Sequence, residues 1–143
     1  MIKLIAFLSF VTINSSYDAS TINRQQMYCL AKAVYHEARG EDVVGQMAVA
    51  HVVINRATDS RYPFGICAVV NQPKQFSGID YAVIDYNSKA WERAIEAAVF
   101  ASLGITDDPT GGATHYYAHK KVSPYWKDSL VRTARIGNHT FLR

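Results

Sequence analysis

The chain is poor in charge and in cysteine and carries no metal-binding pattern, and each shortage closes off a class of function. Charged residues make up 19% of its 143 positions, and the formal net charge is only +3. No dense Lys/Arg stripe occurs, so the electrostatic footprint of a nucleic-acid binder is missing. Cys29 and Cys67 form no CxxC pair. His36 and Glu37 open a run like the zinc-protease HExxH, but Gly40 stands where the second histidine is needed. His115 and His119 fall in a segment that reads as strand, which would hold them roughly 13 Å apart, too far to share an ion. No metal or other cofactor is expected. Repeats and low-complexity tracts are lacking too, and no apolar run reaches the roughly 20 residues that span a bilayer.

What is present is the composition of a globular core, with 49% hydrophobic residues. The length suits one domain and is too short for two of ordinary size. Positions 1–20 read as a signal peptide or signal anchor: Lys3 precedes an apolar run over positions 4–13, and Asn14-Ser15-Ser16 follows, although no Ala-x-Ala cleavage site is present. The remaining residues, 21–143, are the expected folded domain, acting outside the cytoplasm as a monomer and touching the membrane only transiently through its N-terminus. An even cysteine count suits one Cys29–Cys67 disulfide in an oxidising compartment, with the Pro63-Phe64-Gly65 turn folding Cys67 back over the first helix. Two buried free thiols are the alternative.

Met27, Leu30, Ala31, Val34 and Ala38 recur at helical spacing and predict an amphipathic helix. Asn23 with Gln26 reads as its capping pair, and Gly40 as a left-handed residue at its end. Glu37 then falls in the last turn, where the macrodipole disfavours negative charge. Either it is a surface glutamate paired with Arg39 or Lys32, or it is partly buried. In the second case apolar neighbours would raise its pKa and leave a carboxyl able to act as a general acid. Glu41-Asp42 begins a second helix, apolar on nearly every side from Val43 to Ile54 and so expected in the interior, with His51 as a hydrogen-bonded core residue. From Thr58 to Asp85 the prolines and glycines predict a long loop. A third helix runs from Ser88 to Leu103, with Gly104 as its stop. Ala113 to Ala118 and Val131 to Ile136 read as strands, Gly137-Asn138 as a tight turn, and His139 to Leu142 as the returning strand. Helices followed by a small antiparallel sheet make the expected class α+β.

Four ordered segments carry a resemblance. They are Cys29 to Glu41, Gly45 to Ala50 with Val53-Ile54-Asn55-Arg56, Gln72 to Ser77, and Asp108 to Tyr117. Together they resemble the SleB-type cell wall hydrolases, also called spore-cortex-lytic enzymes. The resemblance implies a lysozyme-like helical core and cleavage of peptidoglycan glycan strands between N-acetylmuramic acid and N-acetylglucosamine. It also implies that Glu37, the first acid of the Glu-Ala-Arg-Gly-Glu motif, is catalytic. Asp42 departs from the proline usual after that motif, which touches helix entry rather than chemistry. Spore-type members often carry a separate wall-binding domain, and the matching segments include none of it, so spore-cortex specificity does not carry over. A phage lysis protein, acting in the host periplasm, or a bacterial wall-remodelling enzyme would both fit.

A glycosidase working by a carboxylate pair needs its two groups roughly 5 to 10 Å apart. Here Glu41 reads as helix-start electrostatics, and Asp107 and Asp108 as turn residues, which leaves Glu37 without a clear companion. The expected mechanism is therefore that of a lytic transglycosylase, in which one glutamate serves as acid and then base; muramidase-type hydrolysis and a non-catalytic wall-binding module are the alternatives. With the resemblance in hand, Gln75, Phe76 and Ser77 are candidate substrate contacts, Gln75 and Ser77 through hydrogen bonds to the sugars, with Phe76 also a candidate anchor of their loop in the core. Tyr116 and Tyr117, on opposite strand faces, are candidates to pack inside and to line the groove. Trp126 is a further stacking candidate.

Overall fold

The structure is a computed structural model that describes residues 23–73, 76, 79 and 83–143. The expected signal segment and the candidates Gln75 and Ser77 lie outside the described residues.

Helix α1 (Arg24–Ala38) forms on the expected stripe, with Met27, Leu30, Ala31, Val34 and Ala38 all buried. Asn23 caps it, its side chain accepting from the Gln26 backbone N–H at 3.0 Å. The reciprocal half of a capping box does not form, because the Gln26 side chain instead accepts from the Cys67 N–H at 2.9 Å. Gly40 is not left-handed as expected. Arg39 ends the helix in right-handed conformation, and the last turn closes through the Glu41 N–H to the Ala38 carbonyl at 2.9 Å. Only residues 39–42 link α1 to the next helix, so a tight turn replaces the longer cap.

Helix α2 (Val43–Ala57) starts after Glu41 and Asp42, not at them: the Asp42 side chain is the cap, accepting from the Gly45 N–H at 2.9 Å. Its nearly continuous apolar surface has a structural cause. Met47, Ala50, Val53, Ile54 and Ala57 face a core shared with the other helices. Ala48 and Val52 face a second core, where they meet Ala113 and Phe141 of the sheet region. His51 is buried as expected, but its Nε2 finds no hydrogen-bond partner.

The stretch expected as loop contains a short helix, α3 (Ile66–Val70), with Ile66, Val69 and Val70 buried. Five residues are too few for periodicity to reveal. The helix sets Cys67 against α1, and Cys29 and Cys67 are disulfide-bonded, which removes the free-thiol alternative. Helix α4 (Lys89–Leu103) has Gly104 as its left-handed stop at φ 63°, as expected, and Ser88, read as its first residue, is its cap.

The strands are β1 (His115–Ala118), β2 (Arg132–Ile136) and β3 (His139–Leu142). They form an antiparallel sheet in the order β1-β3-β2, so the last strand is central, and all four of its residues are buried. A 3₁₀ turn over Tyr125–Ser129, not anticipated, precedes β2. Among the described residues the architecture is α+β: four helices, then a small sheet laid against α2.

The disulfide spans a sequence separation of 38 residues. In the chain-entropy model a loop of that length contributes about 4 kcal/mol. Urea unfolding of the Cys67→Ala variant should therefore show a loss of roughly 3 to 4 kcal/mol; a loss below about 1 kcal/mol would contradict it.

Candidate active site

Glu37 sits in the final turn of α1, and the sheet reaches it through β1. The Tyr116 hydroxyl donates to Glu37 Oε2 at 3.0 Å. The other carboxylate oxygen, Oε1, lies 3.7 Å from His36 Nε2. The Glu37 side chain is 24% exposed, sheltered yet reachable from solvent. Arg39, one of the cations weighed as its partner, is turned elsewhere: its guanidinium lies over the Tyr35 ring, 4.8 Å from the centroid.

Tyr116 is half-buried overall, with its hydroxyl end lying deep. Its ring meets His139 edge-on at 5.2 Å and Phe141 at 5.8 Å. Burial, followed by the charge and hydrogen bond of Glu37, pushes its phenol well above the usual range. The hydroxyl therefore stays protonated and remains a donor to the carboxylate. Tyr117 points the other way, as strand alternation requires, and packs edge-on against Trp126 at 5.9 Å. His115 joins them, 5.4 Å from Trp126 and 6.5 Å from Tyr62, forming an aromatic cluster on the outer face of β1.

Arg56, near the end of α2, is 6% exposed, and its Nε donates to the Thr114 carbonyl at 2.6 Å. Its guanidinium lies over Tyr62 at 5.4 Å and Phe76 at 5.8 Å. Burial pulls the guanidinium below its usual range, while Tyr62, Tyr116 and Glu37 act in the opposite direction. Phe76 is itself only 4% exposed. Beside Arg56, the Asn55 amide donates to Asp108 at 2.8 Å and to the Ala113 carbonyl at 2.9 Å. Asp108 also accepts from the Thr110 backbone and hydroxyl and from the Gly112 N–H. The Asn-Arg pair and the Asp-Pro-Thr-Gly-Gly turn thus form one brace that fixes the start of β1. As expected, Asp108 is committed to a turn.

Glu41 is not the helix-start residue its position suggested. Its side chain is 10% exposed and lies 3.3 Å from His139 Nδ1, whose orientation falls short of a directed hydrogen bond. Arg56, Glu41 and His139 are the residues near Glu37 that sequence reasoning missed. The motif spacing holds a signal for Glu41, but only the hairpin geometry shows which histidine it meets. The two histidines weighed as ligands diverge: His119 Nδ1 pairs with Thr140 Oγ1 at 3.1 Å, while His115 joins the aromatic cluster. Among the described residues no group of three or more His, Cys, Asp or Glu side chains converges on a metal position.

Residues 40–142 match the sequence model of the cell wall hydrolase family. The chain belongs to that family. The matched span begins just after Glu37 and does not include it. The chain is 38% identical over 112 residues to a spore cortex-lytic enzyme of Halalkalibacterium halodurans, covering 78% of this chain and 33% of that relative. It is 31% identical over 121 residues to one of Bacillus cereus, covering 85% and 45%. The chain therefore spans less than half the length of these relatives. Among solved structures, this cell wall hydrolase is similar to the catalytic domain of the germination-specific lytic transglycosylase SleB from Bacillus anthracis. The TM-score is 0.75 at 30% identity, over 92% of this chain and all of that one. The catalytic domain of the Bacillus cereus SleB protein matches with a TM-score of 0.70 at 29% identity, over 85% and 91%.

The brace makes a pH prediction. Burial alone would raise the Asp108 carboxyl, but the hydrogen bonds from Thr110 and Asn55 outweigh it, so the group titrates below its usual range. A carboxyl depressed in the folded state stabilises above its unfolded pKa, about 3.9, and loses that contribution as pH falls through the lower folded value. The difference in unfolding free energy between the native chain and Asp108→Asn should thus shrink below about pH 4. A difference independent of pH would refute this role.

Proposed function

We propose that this cell wall hydrolase cleaves peptidoglycan glycan strands between N-acetylmuramic acid and N-acetylglucosamine as a lytic transglycosylase, with Glu37 as general acid and then general base. One observation carries the reading: Glu37 is a sheltered carboxylate at the helix–sheet junction, 24% exposed, whose Oε1 has the His36 ring 3.7 Å away. Tyr116 occupies Oε2, while Glu41 is turned to His139 and Asp108 is held in the brace. The likeness to a catalytic domain named as a lytic transglycosylase supports the same choice.

The steps follow from that geometry. Glu37 Oε1 carries the proton, because Oε2 already accepts from Tyr116. It gives this proton to the glycosidic oxygen as the bond to the muramic acid C1 breaks, and N-acetylglucosamine leaves with a free 4-hydroxyl. The carboxylate so formed keeps the Tyr116 hydrogen bond and sits within the field of the buried Arg56. The C6 hydroxyl of the same muramic acid then attacks C1 and returns its proton to Oε1. The product is a 1,6-anhydro sugar, no water is consumed, and the enzyme is restored. Tyr117 and Trp126 offer aromatic edges for sugar rings outside this centre, and Gln75 and Ser77 are the proposed polar contacts on the loop that Phe76 anchors. The substrate polymer lies outside the cytoplasm, which agrees with export through residues 1–20.

Purified peptidoglycan digested with the native chain should yield mainly 1,6-anhydromuramic acid ends by mass analysis, and Glu37→Gln should lower turnover by about 10²- to 10⁴-fold while remaining folded. Reducing-end muramic acid as the main product would replace transglycosylation with hydrolysis. Undiminished cleavage by Glu37→Gln would remove the glutamate from the chemistry.

A further inference from the structure

Two buried titratable groups near the reaction centre have no part in the steps above. Glu41 and His139 are 10% and 11% exposed and face one another at 3.3 Å. A buried pair of this kind is weak evidence for stability, since desolvating both groups offsets their attraction. Its location is more informative. The Glu41 N–H closes the end of α1, the helix that carries Glu37, and its carbonyl accepts from the Gln46 side chain at 3.3 Å. Its carboxylate fills the space beneath the β2–β3 turn, where Gly137 has φ 55° and an added Cβ would stand 2.5 Å from Oε2. His139 lies on the same face of β3 as Phe141, and the Tyr116 ring packs against both. His139 also feels Glu37, His119 and Lys121.

The geometry points to Glu41 and His139 as positioning residues: they lock the ring of Tyr116, and Tyr116 in turn fixes Glu37 Oε2 so that Oε1 is presented to the substrate. The inference rests on the function proposed for Glu37. Glu41 is thus neither a second reacting carboxylate nor a helix-start charge. It clamps the hairpin to the helix end, with His139 as the contact through which the clamp reaches the phenol. Gly137 takes a left-handed φ of 55°, and a side chain added there would have to push the Glu41 carboxylate aside.

The test is a double-mutant cycle on soluble glycan strands, with kcat and KM measured for Tyr116→Phe, Glu41→Gln and the double variant. Each single change should lower kcat about 10- to 100-fold, as a misplaced reacting group does, with KM within about twofold of native. The double variant should be no slower than Tyr116→Phe alone, because both changes release the same hydroxyl contact. Multiplying losses, an unchanged kcat, or a change confined to KM would overturn the inference. If thermal melting shows that Glu41→Gln does not fold, His139→Phe, which keeps a ring beside Tyr116, replaces it in the same cycle with the same expected outcome. Glu37→Gln, assayed alongside, separates the two ideas. If it retains turnover, the proposed function fails. If it is inactive while Glu41→Gln runs at full rate, only the positioning role fails.

Discussion

The hydrogen bond from the Tyr116 hydroxyl to Glu37 Oε2 is the contact that joins the two halves of this molecule at the point where chemistry is proposed. Glu37 belongs to a helix and Tyr116 to an edge strand far along the chain, so neither alone sets the geometry of the site. The surrounding polar interactions can be understood as holding these two elements in register. Arg56 and Asn55 tie the chain just before β1 to the end of α2. Asp108 gathers the preceding turn, and Glu41 meets the hairpin beyond the central strand.

Such a network is costly to bury and is tolerated only because nearly every member has partners. Asp108 shows the balance: several donors converge on one carboxylate and outweigh its loss of water. Tyr116 shows the reverse, a phenol whose burial beside a carboxylate keeps its proton in place. The same interior that raises the one lowers the other, and the difference lies in how many donors face each group. The site is therefore built from hydrogen-bond counting as much as from apolar packing.

The three long helices, the cap at Asn23, the stop at Gly104 and the β2–β3 hairpin were readable from the sequence, because each has a local signal in periodicity, capping chemistry or turn residues. Glu37 drew notice through its odd place in a last turn. What escaped reading depended on contacts between distant segments. Gln26 has a local partner by spacing but spends its side chain on α3, and Glu41 has a local explanation at a helix start but serves a hairpin near the other end of the chain. The short helix α3 escaped because one turn carries no period. Phe76 was read two ways, as a substrate contact and as an anchor, and its side chain is buried.

Helix α2 lies between both hydrophobic cores, with Ala50 and Val53 turned to one and Ala48 and Val52 to the other. Detaching either the bundle or the sheet would expose one apolar face of the same central rod, which couples the two. The molecule should therefore open as one cooperative unit, with its slowest-exchanging amides along that rod. Small residues are held at its centre from two directions at once: an enlarged side chain there has no free side toward which to relax, so this buried segment, remote from any sugar, should tolerate substitution least.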